Sequence, residues 1–126
     1  VMAVRDFRDL LIWQRAMSLA GDIYSISADF PVIEQFGLTS QIRRSAVSVP
    51  SNIAEGHGRE APREFARFLR IARGSLAELQ TQLLLAEQFS YCTSERSASL
   101  YESIDELSRM IRGMQKSLDS QLAAHD

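Results

Sequence analysis

Lysine is nearly missing from this chain: Lys116 stands alone against thirteen arginines. Cysteine is equally scarce. Cys92 has no sequence partner, which excludes an internal disulfide and a cysteine zinc cluster. No run of 18 apolar residues occurs, so no membrane-spanning helix is expected. Residues 1–6 lack the apolar core of a secretory leader. These absences point to the cytoplasm. Nowhere does the chain alternate apolar and polar residues as a half-buried strand would. There is no internal repeat and no low-complexity tract.

What remains is helical in pattern. Apolar residues make up 45% of the chain, enough for a core, and 126 residues predict one domain over 1–126. Leu10, Trp13, Met17, Ala20 and Tyr24 recur at helical spacing and place helix one over 9–28. Asp29-Phe30-Pro31 ends it, because a residue before proline avoids the helical region. A short turn over 32–36 follows, and helix two is expected from residue 38 or 39 to about 55, closed by Gly56 and Gly58. Pro50 lies inside it. Proline removes one backbone hydrogen bond and crowds the carbonyl of Ala46, so a kink is expected there, with two separate helices, 39–48 and 51–56, as the alternative.

Pro62 suits the first turn of helix three, which is expected to run to about residue 91. Gly74 interrupts it and is expected to admit the close approach of another helix. Helix four is expected over 95–122, with Leu100, Ile104, Leu107, Ile111, Met114 and Leu118 buried and residues 123–126 frayed. Four amphipathic helices joined by short turns predict an all-α, up-down-up-down four-helix bundle, its second helix kinked at Pro50.

Helix two carries a second pattern. Gln41, Arg44, Ser48, Asn52 and Glu55 fall at offsets of 3, 4, 4 and 3, which puts them on one stripe. Ile42, Ala46, Val49 and Ile53 form an apolar stripe beside it. One reading is a polar site lining a ring interior or a subunit seam. The preferred reading is a buried hydrogen-bond network that fixes helix register. In it Arg43 or Arg44 pairs with Glu55 or Glu78, and Asn52 satisfies the carbonyl freed by Pro50.

Charge is unevenly spread. Residues 41–73 are net basic, while the flanking segments are net acidic. Arg59, Arg63, Arg67, Arg70 and Arg73 keep to one side of helix three, with Glu60 and Glu64 near its start. Repeated around a ring, the row would attract nucleic-acid phosphates. Yet the isoelectric point is about 5.7, below that of most dedicated nucleic-acid binders. The favoured reading pairs this row with Glu95, Glu102, Asp105 and Glu106 of a neighbouring subunit. A plain solvated surface and RNA or DNA binding stay open.

Catalytic and metal constellations are lacking. His57 sits in a glycine-flanked turn without a partner, and a di-iron bundle needs Glu-x-x-His pairs that do not occur. There is no glycine-rich phosphate loop, nucleophile elbow or triad. No cofactor is expected. Trp13, Phe36, Phe65, Phe68 and Phe89 are assigned to the core, and Cys92 reads as inert.

Several blocks resemble one bacterial family. They are Phe7-Arg8-Asp9-Leu10 with Trp13-Gln14 and Ala16, then Phe30-Pro31 with Glu34 and Gly37-Leu38. Gln41-Ile42-Arg43-Arg44, Ser48 and Ser51-Asn52-Ile53-Ala54-Glu55-Gly56 follow, with Phe68-Leu69, Ile71-Ala72-Arg73-Gly74-Ser75-Leu76 and Glu78-Leu79. Together they resemble the four-helix-bundle proteins encoded in intervening sequences of 23S rRNA genes. Gln80 stands where that pattern carries an acidic residue. The resemblance implies a non-enzymatic, ring-forming homo-oligomer, often a homopentamer, of unsettled biochemical role.

Overall fold

The computed structural model describes residues 6–125. The stretch read above for a leader lies almost wholly outside them, as does Asp126. The described residues form four α-helices and no strand: α1 Leu11–Ser27, α2 Leu38–Gly58, α3 Pro62–Gln88 and α4 Ser94–His125. Single 3-10 turns, Phe7–Asp9 and Val32–Glu34, precede α1 and α2. Each helix packs on its sequence neighbours and α4 also packs on α1, while the backbones of the diagonal pairs stay more than 8 Å apart among the described residues.

Local chemistry sets the helix ends. Asp6 accepts the backbone N–H of Arg8, and Asp9 returns a bond to the N–H of Asp6. α2 begins at Gly37 without a cap from its own side chain; the Glu34 carboxylate instead accepts the Leu38 N–H at 3.1 Å. Pro62 opens α3. Thr93 Oγ1 accepts the N–H of Arg96 at the start of α4. At the far ends of α2 and α3 the left-handed residues are Glu60 and Ser90.

Gly58 is the last residue of α2, as expected, but no glycine takes the left-handed conformation there. Gly56 is buried inside the helix and does another job. A Cβ there would lie 2.6 Å from Phe68 Cβ and 3.2 Å from Phe65 Cδ1, so only glycine lets α2 approach α3 this closely. Gly74, expected to be the close-approach glycine, has open space where its Cβ would stand. The helix is continuous through buried Pro50, which rules out two separate helices. α4 also runs to His125, past the point where fraying was expected.

One apolar cluster joins all four helices. Ile23, Ile42, Ile53, Leu69, Leu79 and Ile111 lie wholly out of water. In α1 the buried stripe is Ile12, Ala16, Leu19, Ile23 and Ile26. Met17 and Tyr24, two of the residues whose spacing marks the helix, are exposed. Leu10 from the same pattern is buried, and Trp13 and Ala20 pack against the edge of the core. Phe68 is buried and Trp13 and Phe65 are partly buried, but Phe36 is 90% exposed and Phe89 is also exposed.

Alanine substitution at the two glycines should separate their roles. Gly56→Ala is expected to cost up to about 2 kcal/mol, because overpacking of about 1–3 kcal/mol opposes the roughly 1 kcal/mol that alanine returns in helix propensity. Gly74→Ala, with open space, should stabilise by up to about 1 kcal/mol. Urea unfolding of both variants gives the signs.

Candidate functional site

The polar stripe of α2 meets a matching stripe of α3. Ser48 lies opposite Ser75, their hydroxyls 2.7 Å apart. Asn52 Nδ2 donates to the Ser48 carbonyl at 2.8 Å and to Ser48 Oγ at 3.0 Å. The two serines lie along a groove of about 340 Å³ whose other lining residues are Gln41, Arg44, Ser45, Glu78 and Gln82. Gln82 Oε1 is buried there without a partner among the described residues.

The expected ion pairs of this stripe do not form. Arg43 points the other way: its Nε donates to Ser27 Oγ at 2.8 Å, and its guanidinium lies 4.6 Å from the Tyr24 ring centre. Glu55 pairs with Arg59 at 3.0 Å. Arg44 and Glu78 are both exposed and lie more than 4 Å apart. Asn52 serves the Ser48 carbonyl rather than that of Ala46. Only Ser48 and Asn52 of the expected network are joined. Ser75, the third member, is not part of the α2 stripe but belongs to α3, where Ile71, Ser75, Glu78 and Gln82 recur at helical spacing.

The arginine row divides. Arg59 lies beyond the end of α2, outside α3. Arg67 pairs with Glu64 at 2.9 Å, and Arg67 and Arg59 both lie over the buried Phe68 ring, at 4.6 and 5.4 Å. These two are local helix-end contacts. Arg63 is exposed. Arg70 and Arg73 instead line the α3–α4 seam with Arg112, which the sequence reading did not single out. The acidic row is partly occupied within the chain: Glu106 pairs with Arg15, and Asp105 with Arg109 at 2.5 Å.

A third feature lies where the α1–α2 and α3–α4 connections meet. Glu34 accepts Leu38 N–H through Oε1 and the Tyr91 hydroxyl through Oε2, at 3.1 and 2.8 Å. A Cβ on Gly37 would stand 2.6 Å from Glu34 Oε1, so glycine clears the path of this cap. Tyr91 packs between Phe30 and Phe89, at ring separations of 5.8 and 5.6 Å. Arg96 ties α4 to Asp29 at 2.6 Å. Beside this anchored junction Val32, Ile33 and Phe36 are 85%, 88% and 90% exposed.

His57 meets Phe65 edge-on at 5.8 Å. Burial raises the pKa of the Cys92 thiol, which works against thiolate chemistry. Burial, then the bond to Glu87, raises that of Tyr101 far above its usual range. Among the described residues no three His, Cys, Asp or Glu side chains gather as a metal site would need, and no helix is long and apolar enough to cross a membrane.

Two measurements test these contacts. Ser48→Ala leaves the buried Ser75 hydroxyl without its partner and should cost about 1–2 kcal/mol, whereas the Ser48→Ala, Ser75→Ala double variant should cost less than the sum of the singles. A double-mutant cycle by chemical denaturation reads this directly. The Leu38 N–H, then the Tyr91 hydroxyl, holds the Glu34 carboxyl below its ordinary 4.5. Its stabilisation is therefore complete above that value and disappears as pH falls through the lowered folded-state value. Thermal melts of Glu34→Gln should lose less stability over that acid window than the unaltered chain, with the two curves diverging as pH rises.

The comparisons agree with these blocks of sequence. A family model described as 23S rRNA-intervening sequence protein matches residues 8–113. The matched span takes in α1, α2 and α3 whole and the first two-thirds of α4. No curated protein matches the chain. A match over so much of the chain carries the blocks at the loop junction, on the α2 stripe and along α3 together, and the chain belongs to the 23S rRNA-intervening sequence protein family.

Proposed function

We propose that this protein is a non-enzymatic, self-assembling bundle that acts as a scaffold, with its loop junction as a contact surface between copies. The observation that carries the reading is the exposure of Val32, Ile33 and Phe36 within one short stretch of the α1–α2 connection. Large apolar side chains scattered singly are ordinary on a surface, but a contiguous group is the usual mark of a protein contact. The group is also held in place. Glu34, between Ile33 and Phe36 in the chain, is bonded to Leu38 and Tyr91. Presenting a preorganised apolar surface costs little ordering entropy on association.

Closure into a ring, and five copies within it, rest on the resemblance to ring-forming members of the family. A ring needs two different complementary patches. Val47 on α2 and Ile71 on α3 are exposed apolar residues away from the junction, and they are available as the second surface.

The test is size exclusion with light scattering, at low and high salt. The unaltered chain should run as an oligomer in both, because burial of apolar surface survives screening. Ile33→Ser with Phe36→Ser should lower the mass while circular dichroism and thermal midpoint stay close to those of the parent, since neither side chain supports the core. A monomeric parent, or a double variant with unchanged mass, would overturn the reading.

A further inference from the structure

We infer that the seam between α3 and α4 is a binding site for a phosphate ester, either a mononucleotide phosphate or one backbone phosphate of a single strand. Arg70 and Arg73 from α3 and Arg112 from α4 line one open groove of about 540 Å³. Gln80, Asp105 and Ser108 share its walls, and its floor includes the buried chains of Leu76 and Ile104. That volume lies in the range of small-molecule clefts.

Three observations favour an anion. First, the guanidiniums are uncompensated. Among the described residues neither Arg70, Arg73 nor Arg112 has a carboxylate within 4 Å. The groove's own acid, Asp105, is occupied by Arg109. Three cations held in one groove repel each other, and a dianion entering between them relieves that repulsion. Second, Arg73 is held ready. Its Nη1 donates to Oε1 of the buried Gln115 at 3.0 Å, which orients the guanidinium plane. Its Nε is buried with no partner among the described residues, an unmet donor beside the groove. Third, two of the other three arginines of the row are spent, Arg59 and Arg67 being paired with Glu55 and Glu64, and Arg63 lies outside the groove.

The chemistry selects phosphate over a simple carboxylate. Guanidinium forks match the several acceptor oxygens of a phosphate, and three of them balance its charge better than that of a monoanion. The apolar floor offers contact to a sugar or base, with Gln80 and Ser108 as hydrogen-bonding neighbours. The site lies away from the Ile33–Phe36 junction and does not depend on that surface making contacts between copies.

The experiment is calorimetric titration of the full chain at low and high salt with inorganic phosphate, adenosine monophosphate and a short oligouridylate. Parallel titrations use Arg112→Gln, Arg70→Gln and, as a control outside the groove, Arg63→Gln. Adenosine monophosphate or the oligonucleotide should bind, with affinity reduced at least about tenfold by either groove substitution and little changed by Arg63→Gln. Tighter binding of the oligonucleotide with a steeper salt dependence identifies a strand as the source; equal or tighter binding of the monophosphate identifies a free nucleotide. Each of those results supports the site. No binding of either ester would overturn it. So would equal losses in Arg63→Gln and Arg112→Gln, which mean diffuse surface charge. Loss of assembly in the groove variants without ester binding by the parent would also overturn it, marking the groove as a subunit contact.

Discussion

α2 rests on α3 at a distance that only a glycine permits. With Gly56 against Phe68, the two helix surfaces come close enough for Ser48 and Ser75 to share a hydrogen bond two turns away. The same approach keeps Ile53, Val49 and Ile42 against Leu69, Leu76 and Leu79 in one dry cluster. A wider spacing would admit water to the serine pair and leave the aliphatic chains with fewer neighbours, so the register of the α2–α3 seam depends on the absence of one methyl group. The contact also explains the placement of Arg59 and Arg67. With Phe68 pinned under Gly56, its ring is a fixed face over which both guanidiniums settle.

The opposite end of the bundle is held by different physics. Glu34 closes the start of α2 and reaches Tyr91 in the α3–α4 connection, so one carboxylate joins two loops that are far apart in sequence. Gly37 is needed there for clearance, since its backbone has no positive φ. Held this way, the 3-10 turn presents Val32, Ile33 and Phe36 to solvent instead of folding them onto the core. The aromatic residue nearest in sequence to this cap is thus the one most fully excluded from the interior.

Much of this was legible in the chain itself. Four helical segments, their short connections and most of the α3 and α4 apolar faces follow from periodicity, because burial of one face is a local, repeating demand. The serine–asparagine part of the α2 stripe was legible for the same reason. Its partners were not. Arg43 sits one residue from Arg44, yet a 100° turn sends it toward α1 and Tyr24. Glu55 satisfies the nearer Arg59, because a pair at i, i+4 is met within one helix. Arg112 stayed hidden, since nothing in the numbering shows that the late part of α4 lies across from Arg73, where Gln115 receives its hydrogen bond.

By itself the sequence determined that this protein is helical, where each helix lies to within a few residues, and that its blocks belong together as one family pattern. Those properties depend on spacing along one chain, which the residue order states outright. Tertiary structure alone decided which glycine is a contact and which is idle, which apolar residues of α1 enter the core, and which arginines are neutralised. It also decided that Phe36 faces water and that three arginines from two helices share one groove. Those outcomes depend on the separation and rotation of packed helices, and differences of a few ångströms there are not encoded in any single segment.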